Sequence, residues 1–173
     1  PKEVKSEGLS EPLLDQLLVT KPLTHRNEGE NLDLSGEQPV LSGSFNPGNG
    51  WQERKFDQPV TGRYVCLEAL SAQDGKDLAC IAEMYLLDEN GERLSREPWI
   101  VNYADSEDVS HVNCSADKIF DLQESTYWST TKDTPYPHSV VIDLGSTRTL
   151  TGIQYLPRWK ARYRVESKTS RFT

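Results

Sequence analysis

Between Lys118 and Trp128 the chain reads Lys-Ile-Phe-Asp-Leu-Gln-Glu-Ser-Thr-Tyr-Trp. Asp121, Gln123, Glu124, Ser125 and Thr126 crowd oxygen-bearing side chains into one short loop between Phe120 and Trp128. A loop that holds side-chain and carbonyl oxygens at such spacing can bind a hard cation such as calcium. Polar loops are common and most bind nothing, so the spacing alone leaves both readings open. A second acid stands out for the opposite reason. Glu83 lies inside an otherwise apolar run, Cys80-Ile-Ala-Glu-Met-Tyr-Leu-Leu87. A carboxylate buried there needs a partner. That partner is a cation, Arg63 or Lys118, unless the side chain turns to solvent.

The elements that must position these residues read as strands. Val140, Ile142 and Leu144 alternate with Ser139, Val141 and Asp143, and Gly145 is expected to stop that run. Val40–Phe45, Trp51–Phe56 (ended by Pro59), Gly62–Leu70, Ala79–Leu87, a strand opening at Trp99, Leu150–Tyr155 and Tyr163–Ser167 complete the β signals. Asn46-Pro-Gly-Asn-Gly50 and Asp88-Glu-Asn-Gly91 are turn clusters. The first 37 residues differ. Ser10–Val19 carries a plausible N-cap at Ser10, Pro12 in the first turn and an apolar face of Leu13, Leu14, Leu17 and Leu18. This predicts one short helix, with a β-run as the alternative. The expected division is therefore an arm over 1–37, packed on the main domain or left from an upstream one, and a β domain over 38–173.

The 173 residues suffice for one domain with a real core, and their formal net charge is −8. That charge argues against nucleic acid or an anionic membrane as partner. No segment is long and apolar enough to span a bilayer, and no signal peptide is visible. Cys66, Cys80 and Cys114 are an odd count without zinc spacing and read as small core residues. A hairpin about Asp74-Gly75 would set Cys66 opposite Glu83. Catalysis has little support: there is no nucleophile elbow, no His pair at metal-ligand spacing and no glycine-rich phosphate loop.

Lys118, Phe120, Asp121, Thr126 and Trp128, followed by Ile142-Asp-Leu-Gly145 and Tyr155-Leu-Pro-Arg158, resemble the signature of the factor V/VIII type C, or discoidin-like, domains. Within them the chain is similar to the carbohydrate-binding modules of family 32. Leu122 stands where that family usually has Gly, and only four residues separate Arg158 from Tyr163 where the family has a longer loop. Gly62-Arg-Tyr-Val and Ile81-Ala-Glu83 resemble segments that normally close the domain, yet here they precede its opening strand. The chain thus holds either two incomplete copies or one circularly permuted domain. Permutation is favoured, because each family strand occurs once and two half-sandwiches would each leave an apolar face open at about 25 cal/mol per Å².

The resemblance implies an all-β, galactose-binding-domain-like jelly-roll sandwich that binds sugar and does not cleave it. It implies a structural calcium held by the carbonyl of Lys118, Asp121, the carbonyl of Gln123, Thr126 and Glu83, with the carbonyl of Ala82 as a further ligand. For a glycan, the candidate contacts are Trp51, Tyr136, His138, Arg158 and Trp159, with a shallow site near Arg158 and Trp159. It also implies a parent protein that is exported, extracellular, cell-surface or periplasmic, with a neighbouring glycan-degrading catalytic domain. The alternative is a protein-docking sandwich without sugar affinity.

Overall fold

The computed structural model describes residues 16–20, 38–46, 48, 50–72 and 77–158. Its strands are β1 (Gln16–Thr20), β2 (Gln52–Ala69), β3 (Cys80–Ile81), β4 (Glu83–Leu87), β5 (Ile100–Ala104), β6 (Trp128–Ser129) and β7 (His138–Leu156). A short 3-10 helix spans Ala116–Phe120. The all-β expectation holds, and all pairings between these strands are antiparallel.

The long strand β7 organises the larger sheet. It pairs with β2 along nearly its whole length, from Gln52↔Tyr155 to Ala69↔His138. Its other edge is shared. The first half takes β5, from Ile100↔Asp143 to Ala104↔Val140, and the second half takes β4, from Glu83↔Leu156 to Leu87↔Gly152. The second sheet is the pair β3–β6, with Cys80↔Ser129 and Ile81↔Trp128 in register. Both sheets feed one core. Val140, Ile142 and Leu144 from one half of β7 join Ile153 and Tyr155 from the other, with Ile81, Met84, Leu86, Ile119 and Trp128. This is the sandwich principle: each sheet buries the apolar face that its alternation creates.

Several expected boundaries move. Pro59 does not end a strand but lies inside β2, where the register shifts between Lys55 and Val60. Proline lacks the N–H of a regular ladder and is tolerated at such an irregularity. Gly145 likewise does not end β7 but sits within it, at φ +85°. A Cβ there would lie 2.9 Å from Pro98 Cβ, so glycine is required both by the backbone angle and by the close approach. Val40–Phe45 forms no strand; only Leu41 makes an isolated bridge, and Phe45 is fixed by stacking on Tyr155 at 4.0 Å between ring centres. The Gly62–Leu70 and Ala79–Leu87 runs do not pair as a hairpin, because β7 lies between them.

The helix expected over Ser10–Val19 is corrected over its second half. Gln16–Thr20 is a strand, paired with β2 from Gln16↔Glu68 to Thr20↔Tyr64. An edge of β2 with unpaired N–H and C=O groups rewards a β-run more than an isolated helical turn rewards its apolar face. The Tyr163–Ser167 strand and Trp159 lie outside the described residues. Cys66, Cys80 and Cys114 are buried thiols that form no disulfide among the described residues, as small core residues should be.

Candidate functional site

The 3-10 helix delivers the loop that follows it. Asp121 caps its end, and Leu122 then takes φ +67°, which turns the chain back. Around this turn Asp121 Oδ1 accepts from the Gln123 N–H at 3.0 Å, and Asp121 Oδ2 accepts from Thr126 Oγ1 at 2.6 Å. Thr126 Oγ1 is also 3.0 Å from the carbonyl of Gln123. The loop therefore gathers a carboxylate, a hydroxyl and a carbonyl, three of the expected cation ligands, within hydrogen-bond reach of one another. Lys118 lies one turn earlier, its N–H bonded to the carbonyl of Ser115 at 3.1 Å.

Glu83 comes to the same place from the other side of the core. It opens β4, just after Ala82 at the bend that separates β4 from β3. Glu83 is 1% exposed. Its partner is neither Arg63 nor Lys118. Arg63 instead binds Asp143 with both Nε and Nη2, at 2.8 and 3.1 Å, and the pair lowers the Asp143 carboxyl below the ordinary aspartate range. Glu83 Oε2 accepts from Arg96, whose Nη1 also donates to the carbonyl of Met84 at 3.1 Å. Glu83 Oε1 is buried with no partner. Burial pushes the Glu83 carboxyl up to about 7; Arg96 opposes the shift and the neighbouring Asp121 carboxylate adds to it. Two carboxylates held close together, one with an orphaned oxygen, repel each other unless a proton or a cation offsets their charge. Among the described residues no three acidic, His or Cys side chains converge. The remaining donors at the site are carbonyls and a hydroxyl, which suits calcium and not zinc.

The residues expected to contact sugar are dispersed. Tyr136, His138 and Arg158 each contact the segment 77–80, through the carbonyls of Leu78 and Asp77 and the sulfur of Cys80 respectively. His138 is 0% exposed, with Nδ1 2.9 Å from Asp105 Oδ2 and Nε2 2.7 Å from the carbonyl of Asp77. Burial alone would lower its pKa, but these two acceptors hold the imidazolium and raise it. The ring has no free nitrogen to offer a hydroxyl. Tyr136 Oη donates to the carbonyl of Leu78 at 3.1 Å. Arg158 is buried, lies 3.8 Å from the centre of the Tyr127 ring and donates to Tyr127 Oη at 2.8 Å, with Nε unpartnered.

Trp51 lies elsewhere. Its Nε1 donates to Glu124 Oε1 at 3.2 Å, and its ring is 5.7 Å from that of Tyr85. Arg93 stacks over both rings, and Arg96 lies 3.6 Å from the Tyr85 centre on the way to Glu83. Beside this ladder opens a groove of about 620 Å³, lined by Tyr85, Arg96, Trp99, Phe120 and Leu122 among others. Sequence reasoning missed Arg96, Tyr85 and the groove. Tyr85 carried a signal, since its position in β4 points opposite to the core residues Met84 and Leu86. Arg96 carried none.

A family model described as the F5/8 type C domain matches residues 102–170. A sialidase of Micromonospora viridifaciens is 40% identical over 58 residues, covering 31% of this chain and 9% of that protein.

Proposed function

From the premise that residues 102–170 carry F5/8 type C sequence, we propose that this chain is a non-catalytic carbohydrate-binding module of a larger exported bacterial glycan-degrading protein. The observation that carries this reading is the groove beside the Asp121 loop. Its lining combines the aromatic residues Tyr85, Trp99 and Phe120 with the polar side chains of Ser95, Glu97 and Asp117. Sugars are bound by such pairings, because an aromatic plane covers the apolar face of the ring and a fixed polar group takes a hydroxyl. Arg93, 4.0 Å from the centre of the Tyr85 ring, packs beside it.

A structural calcium completes the reading. Asp121, Glu83, Thr126 and the carbonyls of Lys118, Gln123 and Ala82 would hold it. Its role is to tie the 120s loop to the start of β4, across nearly forty positions of sequence, and so to fix one wall of the groove. The adjacency of Asp121 and the orphaned Glu83 oxygen supports the ion, and Arg96 leaves that oxygen open.

The test is a glycan array probed with the full 173-residue chain, alongside Tyr85→Leu and Arg158→Lys. Glycans retained by the wild type should be lost with Tyr85→Leu and kept with Arg158→Lys, at unchanged melting temperature. Loss only with Arg158→Lys would move the site to the Tyr127–Arg158 side. No retained glycan at all would leave a docking sandwich as the better reading.

A further inference from the structure

We propose that Arg96 is a resident counter-cation that competes with calcium for Glu83 and so sets the affinity of the ion site. This rests on the reading of Asp121 and Glu83 as calcium ligands and names the residue that tunes them. The Glu83 carboxylate is divided between two uses. Its Oε2 accepts from Arg96 Nη1, and its Oε1 is buried without a partner. The pair is dry, with the Arg96 side chain 2% exposed and that of Glu83 1%. The other cations considered for Glu83 are engaged elsewhere: Lys118 lies 3.7 Å from Asp117 Oδ2, and Arg63 binds Asp143. Asp121, the neighbouring carboxylate, accepts from the Gln123 N–H and the Thr126 hydroxyl of its own loop. The described cluster thus sets two carboxylates against one guanidinium. A divalent ion entering at Oε1 would share its carboxylate with a positive charge already in place. Like charges that close repel strongly where little water separates them, and the charge count of the ligand set tunes calcium affinity.

A second observation concerns what Arg96 holds. The Nη1 that reaches Glu83 also donates to the carbonyl of Met84 at 3.1 Å, in β4, and to that of Ile119 at 3.4 Å, in the 3-10 helix. The guanidinium carbon lies 3.6 Å from the centre of the Tyr85 ring, which fixes its plane. One group therefore ties β4 to the helix that leads into the Asp121 loop. That is the tie assigned above to calcium, and a guanidinium can carry that structural load by itself. Two consequences follow. Removing the Arg96 charge leaves the buried Glu83 carboxylate uncompensated, so the metal-free protein loses stability. It also removes the competitor of the ion, so calcium binds tighter. An arginine with only a structural role would produce the first effect without the second, and one that oriented Glu83 for the ion would weaken calcium binding.

The experiment is calcium titration by calorimetry, with thermal melts in calcium and in chelator, on the full chain of the wild type, Arg96→Met and Lys132→Gln. Lys132 is exposed in the turn after β6, so its variant removes equal charge from the surface, where salt screens it. Arg96→Met is expected to bind calcium about tenfold tighter than the wild type. It should also melt lower than the wild type in chelator and rise further when calcium is added. Lys132→Gln should match the wild type in both. Should Arg96→Met fail to fold, Glu83→Gln/Arg96→Met, which buries no unpaired charge, is compared with Glu83→Gln and must bind calcium tighter. Wild-type or weaker affinity in Arg96→Met, or no gain in the second comparison, overturns the competition and leaves the calcium site standing. An equal gain in Lys132→Gln overturns it too, since bulk charge would then suffice. If calcium binds neither the wild type nor any Arg96 variant, the calcium reading and this inference fall together.

Discussion

Withdrawing the proposed cation from the Asp121–Glu83 site should expose a pH dependence that such an ion would conceal. In the metal-free protein the Glu83 carboxyl is raised from 4.5 to about 7. The folded state then holds a proton between these values that the unfolded chain has released. The sign follows: this contribution is fully present below about 4.5, and stability falls as pH rises through about 7. At 1.36 kcal/mol per pH unit the full shift is worth up to about 3 kcal/mol. Calcium reverses the slope, because it binds the charged carboxylate and competes with the proton. At a hundredfold excess over its dissociation constant the ion adds about 2.7 kcal/mol, a rise of about 5–10 °C in a domain of this size. Thermal melts with calcium and with a chelator, at about pH 6 and about pH 8, should therefore show a gap that widens with pH. Glu83→Gln should flatten the metal-free slope and shrink the gap. A chelation-insensitive wild type at both pH values, shown metal-free by elemental analysis, would refute the site. A gap that narrows with pH would refute the role given to Glu83.

Leu122→Gly should stabilise the chain by about 0.5–1 kcal/mol in urea unfolding, because relief of the φ +67° strain exceeds the added chain entropy; a destabilisation of that size would mean that Leu122 packs usefully despite its exposure. Asp105 and the carbonyl of Asp77 raise the His138 pKa against the effect of burial, so the imidazolium contributes stability present below about pH 6.5 and lost as pH rises through the folded value. His138→Gln should cost about 1–3 kcal/mol in urea unfolding, whereas a His138 NMR resonance titrating at or below the ordinary histidine value would contradict the assignment.

Much of the fold was legible because strand signals are local. Alternation in Val140–Leu144 and the apolar run of Cys80–Leu87 reported burial directly, since side chains on a strand alternate between two faces. The oxygen-rich turn at Asp121–Thr126 was legible for the same reason: its hydrogen bonds close within six residues. Strand ends were less legible. Pro59 and Gly145 look like stops in a linear reading, but the sheet carries both through as irregularities because β2 and β7 keep pairing on either side. The fate of Gln16–Thr20 depended on an open edge of β2, which no window of sequence contains.

The site divides along the same line. The sequence by itself identified Glu83 as an acid out of place and Asp121 as a loop acid, and the family resemblance linked them. It did not determine which cation Glu83 would meet first. Arg96 reaches it across a turn because β4 and the segment after it fold back, which is a consequence of tertiary packing. His138 and Arg158 are polar residue types suited to sugar contacts, and only the structure turns the first toward Asp105 and the second onto Tyr127. Residue type sets which hydrogen bonds a side chain can make. Which of them it makes depends on what the rest of the chain brings within about 3 Å, and that distance is decided only when the sheets close on their core.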